Sequence, residues 1–105
     1  MTEVVTVTIT GPSEEWLADH VKQLLEKRLI ACANIIPRIR AIYRWQNQTE
    51  DETETLVLVH TQQKHVEAII DFTNKAHPYD TVQILATKII EIDQAYKQWV
   101  VSETD

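Results

Sequence analysis

A ferredoxin-like α+β fold, built on the split βαβ plan, is predicted by the order of periodic segments along the 105 residues. Segments of period 2 and period 3.6 succeed one another as strand, helix, strand, strand, helix, strand, with a short closing helix. That order gives a four-stranded antiparallel sheet with both crossover helices on one face. Two further observations bear on assembly. The extended segment at residues 31–46 is too long for one small sheet to cover, and the helices leave the other sheet face bare. Both features predict an oligomer.

In VTVTIT, Val5, Val7 and Ile9 alternate with Thr6, Thr8 and Thr10, the pattern of a half-buried strand of β-branched residues. GPS breaks it, and Ser13 is placed to cap a helix running to about Leu29. Leu17, Val21, Leu24 and Leu25 form its apolar stripe, while Glu14, Glu15, Asp19, Lys22 and Glu26 decorate the rest. Residues 31–46 then read as one extended run. Ile39, Ala41, Tyr43 and Trp45 share one side of it; Arg38, Arg40 and Arg44 share the other. Pro37 cannot donate to a ladder, so the strand should bend there or lie at an edge. At about 3.3 Å per residue the run would span roughly 50 Å, over twice a typical strand.

The acidic run TEDETE, residues 49–54, is expected to be a solvated hairpin tip, since it lacks the Gly and ligand spacing of a calcium loop. TLVLVHT follows as a short strand buried on both faces, with Thr61 capping a second helix that carries Val66, Ile69, Ile70 and Thr73. HPYDT turns the chain into QILATKII, the fourth strand. DQAYKQWV closes as a helix with Tyr96 and Trp99, and SETD is expected to fray.

Ten basic against sixteen acidic residues give a net charge of −6, which argues against nucleic acid or an anionic membrane as partner. The single cysteine, Cys32, excludes an intrachain disulfide and a multi-thiolate cluster. Its place in an apolar strand suggests an inert thiol. No apolar run reaches the length of a membrane span, and MTEVVTVTIT alternates where a signal peptide would be uniformly apolar. The expectation is one domain, residues 1–105, in the cytoplasm.

The stretch KAHPYDTVQI poses the main functional question, because it sets His77, Pro78, Tyr79 and Asp80 between two apolar segments. Pro78 stops the preceding helix and favours extended geometry at His77. His20 and His65 lie among polar helical neighbours and read as surface residues. Cys32, His20, His60, His65 and His77 show no metal-ligand spacing, and no GxGxxG, phosphate loop or GxSxG occurs. An RNA-recognition fold would need aromatics where VTVTIT and TLVLVHT stand. An acylphosphatase-like site would need an anion cradle where GPSEE sets two carboxylates.

Beyond the patterning, ACANIIP, IYRWQ and HPYDT, in this order and spacing, resemble the CutA family of divalent-cation tolerance proteins. The resemblance runs from VTVTIT to YKQWV. It implies a tight homotrimer of ferredoxin-like subunits, each extended into its neighbour by a long hairpin, with no enzymatic reaction. It also implies a role in copper and other divalent-metal tolerance; a regulatory module like the PII signalling proteins is the alternative. The partners implied are further copies of the chain and divalent metal ions. The cofactor expectation is weakly bound Cu²⁺ or another divalent cation, with no organic cofactor. For the metal, the resemblance leaves His77, since the family's thiol and first-histidine positions are Ile9 and Ala76 here. Tyr43, Trp45, His60, Tyr79 and Gln83 are expected to line the cleft between subunits, with His60 and Gln83 in contact where the family has a lysine and a glutamate. Two positions usually held by glycine are Arg38 and Asn47.

Overall fold

Strands and helices follow in the expected order in the computed structural model, which describes residues 3–105. They are β1 (Val4–Gly11), α1 (Glu14–Glu26), β2 (Cys32–Trp45), β3 (Gln48–Gln62), α2 (Val66–Ala76), β4 (Ile84–Lys88) and α3 (Gln94–Glu103). The sheet runs β2-β3-β1-β4 with every neighbouring pair antiparallel. Val5, Val7 and Ile9 of β1 and Val57 and Val59 of β3 face Leu17, Val21, Leu24 and Ile69 of the helices. Each fully buried aliphatic side chain contributes roughly 1.5–3 kcal/mol, so this layer dominates the stability. At Gly11 a Cβ would lie 2.8 Å from Cγ of the fully buried Leu17, so α1 docks only because that side chain is absent.

Ser13 caps α1 as expected, its hydroxyl accepting from Trp16 N–H at 3.1 Å. The helix stops sooner than the predicted Leu29. Arg28 turns left-handed at φ 58°, and the N–H groups of Arg28 and Leu29 return to the carbonyls of Leu25 and Leu24 in a Schellman ending. Within the helix Leu25 faces outward, and His20 joins Leu17, Val21 and Leu24 on the buried stripe.

The surface assignment of His20 is therefore corrected. Its ring stacks between Trp16 (5.0 Å) and Phe72 (5.4 Å), and its Nε2 bonds the Thr73 hydroxyl at 2.8 Å. His65 is also engaged, its Nε2–H donating to the Thr104 carbonyl at 2.6 Å. Thr61 stays within β3 and donates to the Leu29 carbonyl, and a 3₁₀ turn over Gln63–His65 precedes α2. The C-terminus is anchored, not frayed. Thr104 is buried and accepts from the Gln62 amide at 2.8 Å, while Asp105 pairs with Lys64.

β2 and β3 depart most from the expected picture. TEDETE is not the tip; it forms the first half of the 15-residue β3. The tip is Gln46–Asn47, both left-handed at φ 49° and 67°, a type I′ turn closing the Trp45–Gln48 pair. Glu50, Glu52 and Glu54 alternate along the strand opposite Tyr43, Ala41 and Ile39, sharing their face. The buried TLVLVHT run is shielded fully on one side only, with Leu56, Leu58 and His60 half-buried on the other.

Pro37 meets both expectations at once: β2 is an edge strand, and Pro37–Arg38 oppose the single residue Thr55 in a bulge. Arg38 sits there at φ 56°. Left-handed backbone costs a non-glycine residue about 1–2 kcal/mol. Arg38→Gly should therefore stabilise the protein by about 0.5–1 kcal/mol in urea unfolding. Arg40→Gly, in the regular strand two residues on, should destabilise it by a similar amount. Equal losses at both sites would contradict the bulge geometry.

Burial holds the His20 imidazole below its ordinary value of 6.5, helped by the neighbouring His77. The unfolded chain thus binds a proton that the folded chain resists. Stability from this group is fully present above pH 6.5 and is lost as pH falls from there through the lower folded value. His20→Gln should be less stable than the parent at pH 7.5, yet lose less stability on moving to pH 5. An unchanged pH slope would show that His20 does not titrate with unfolding.

Candidate functional site

The arm of β2 and β3 leaves the sheet beside the turn that follows α2, and a groove of 650 Å³ lies between them. Tyr43, Trp45, Glu52 and Glu54 line it from the arm; Pro78, Tyr79, Asp80 and Gln83 are among those lining it from the turn. Tyr43 donates to the Glu52 carboxylate, which helps to push its phenol up to about 12. Burial and the carboxylates of Glu54 and Glu52 raise Tyr79 as well. Both phenols stay protonated at neutral pH and offer donors, not anionic ligands.

Four of the five expected cleft residues, Tyr43, Trp45, Tyr79 and Gln83, thus meet within one chain. His60 does not join them. Gln83 bonds β1 at Thr10, whereas His60 pairs with Thr6, four residues away along the strand. At about 3.3 Å per residue that separates them by roughly 13 Å. The expected His60–Gln83 contact is absent within the chain.

His77 holds the turn together. Its backbone N–H closes α2 on the Thr73 carbonyl, and its ring is buried between Trp16 and Tyr79, each centroid 4.6 Å away. Nε2 donates to the Thr10 carbonyl at 2.8 Å, and Nδ1 accepts from Tyr79 N–H at 3.2 Å. Those partners engage both ring nitrogens, one as donor and one as acceptor. A cation could reach Nδ1 only by displacing the Tyr79 N–H, so the geometry fits a clamp between turn and sheet better than a ligand. Among the described residues, no three His, Cys, Asp or Glu side chains converge on one point.

A second cluster lies on the sheet face opposite α1 and α2, which is not left wholly bare as expected, because α3 packs across this end of it through Val100. Cys32 and His60 are direct partners in the β2–β3 ladder, and Tyr96 reaches them from α3. Tyr96 Oη is 2.9 Å from Cys32 Sγ and 2.8 Å from His60 Nδ1, with Sγ to Nδ1 at 3.4 Å. In the arrangement that satisfies all three, the thiol donates to Tyr96 and Tyr96 donates to His60. Burial lowers the His60 imidazole, favouring the neutral form that can accept. It also pushes the Tyr96 phenol up to about 12, with Cys32 adding to the shift. The thiol expected to be inert therefore stands in a polar, half-buried triangle. Sequence patterning missed this triangle, because its members come from three separate elements.

Residues 5–103 match the family model described as CutA1 divalent ion tolerance protein. The chain is 38% identical over 104 residues to the divalent-cation tolerance protein CutA of Thermus thermophilus, covering 99% of both. It is 35% identical over 97 residues to human Protein CutA, of which it spans 54%. The chain therefore covers about half the length of that relative. The solved structure of the Thermus thermophilus protein superimposes with a TM-score of 0.93 at 36% identity, covering 97% of this chain and 99% of that one. A divalent ion tolerance protein from Ehrlichia chaffeensis does so at 0.93 and 30% identity, covering 100% and 98%.

Proposed function

The chain belongs to the CutA1 divalent ion tolerance family, and from that premise we propose that it is a non-enzymatic homotrimer that binds divalent cations, copper among them, in metal tolerance. The match across residues 5–103 carries the cation part of this reading. The trimer is supported by apolar surface that a single chain leaves in water. Ile42 on the arm is 61% exposed, and Ile36, Tyr43, Trp45 and Leu85 are also exposed. Against another copy these groups leave water, at about 25 cal/mol for each Å² covered. The regulatory alternative has no observation of its own, since the acidic, aromatic groove specifies no one small molecule.

Calorimetric titration of the metal-free protein with Cu²⁺ and Zn²⁺ should show binding that weakens as pH falls below about 6.5, where imidazole ligands protonate. Absence of binding by either ion would refute the cation reading. If His77 contributes, His77→Ala should weaken binding; unchanged affinity would confine His77 to holding the turn. Sedimentation equilibrium should give three times the chain mass of 12.2 kDa. A stable 12.2 kDa species at micromolar concentration would refute the trimer.

A further inference from the structure

We propose that the groove between the arm and the turn after α2 binds a small organic ammonium ion. Its alkyl groups lie against Tyr43, Trp45 and Tyr79, and its charge faces Glu52, Glu54 and Asp80. This ligand differs from the divalent cation above, and the proposal stands whether or not that reading does. The groove's 650 Å³ falls within the range of about 300–1,000 Å³ usual for small-molecule sites.

Two features of the lining together select this class of ligand. Three carboxylates, against the single basic residue Arg44, leave the groove with an excess of negative charge. Yet among the described residues no three His, Cys, Asp or Glu side chains converge on one point, as a compact inorganic ion requires. Carboxylates spread along an aromatic wall instead suit a cation whose charge is spread over an apolar shell. Aromatic rings attract such a cation, Trp most strongly. Mg²⁺ dehydrates reluctantly and takes oxygen ligands, so the rings offer it nothing.

Both sides of the groove are held before a ligand arrives. On the turn, Tyr79 N–H donates to His77 Nδ1 and the two rings lie 4.6 Å apart, which fixes where Tyr79 stands. On the arm, Tyr43 donates to Glu52. That bond occupies one of the roughly four acceptor sites of a carboxylate and leaves the charge and the other sites for a ligand. Glu50, Glu52 and Glu54 share this face of the ribbon with Tyr43, whereas Ile42 lies on the other. Another copy of a chain with net charge −6 is a poor cover for the acidic face, so a cation has the better claim to it.

Tetramethylammonium chloride is the probe, titrated into the intact, metal-free protein at constant ionic strength and followed by proton NMR. Its methyl resonance should move upfield saturably as the rings shield it. Uncharged tert-butanol, of similar shape, should bind at least tenfold more weakly. Trp45→Ala should weaken tetramethylammonium binding at least tenfold, and Trp45→Phe by less. Glu54→Gln should weaken it severalfold. Glu67→Gln, which removes an equal charge from an exposed position on α2, should leave it unchanged. Circular dichroism and sedimentation check that each variant folds and assembles like the parent. If Trp45→Ala does not, the parent's preference between the two probes and the comparison of Glu54→Gln with Glu67→Gln decide the question. No saturable shift, equal affinity for tert-butanol, or equal weakening by Glu54→Gln and Glu67→Gln would overturn the site.

Discussion

Strand β3 runs for 15 residues, but β1 pairs with it only from Thr55 to Gln62. Among the described residues, 48–54 pair with no strand but β2, opposite residues 39–45. These seven residues per strand make a two-stranded ribbon of roughly 23 Å at about 3.3 Å each. Such a ribbon is marginal by itself in water, because it has no second layer against which to bury a face. The Arg40–Asp51 pair on it is exposed and contributes little. Most of the remaining architecture follows from this constraint. The bulge at Pro37–Arg38 sets where the ribbon departs from the sheet, and the groove opens where its base passes the turn after α2. The chain extends 44 Å along its longest axis but only 22 Å along its shortest.

Much of this was legible from period alone. β-branched alternation in β1, the Ser13 cap and the stop at Pro78 are local signals, and local physics determines them. The long β2 was legible because alternation is plain past Pro37, where an edge position removes the need for a donor. The acidic run misled because charge density resembles a loop. Glu50, Glu52 and Glu54 nonetheless carried the period-2 signal of a strand. The burial of His20 depends on Phe72 and Thr73 arriving from α2. No window along α1 contains that information.

The Cys32–His60 pair shows a sharper limit. Carrying the register of the tip turn straight down the hairpin would set Cys32 opposite Thr61, whose side chain faces the helices. The bulge shifts the ladder by one residue and sets Cys32 opposite His60 on the other face. A one-residue slip reverses every side chain in a strand, so the pairing could not be read without locating the bulge. Tyr96 then depends on how α3 packs through Val100 against Val4 and Ala31. The groove was easier to anticipate, since IYRWQ and HPYDT carry its aromatic lining within two short segments.

Two chemically different places thus emerge on one scaffold. The groove is aromatic and acidic, and His77 behind its wall is committed to holding the turn. The Cys32–His60–Tyr96 triangle is small, half-buried and closed by its own hydrogen bonds. Both lie on or beside surface left open by a single chain, so assembly bears on each. The central claim is that the ribbon is ordered by contact with another copy. Hydrogen exchange followed across protein concentration tests it most directly. The account predicts that amides at residues 39–45 and 48–54 are protected comparably to Val57 and Val59 when the protein is assembled, and lose that protection first on dilution. Ribbon amides that exchange freely at every concentration, while the core stays protected, would contradict it.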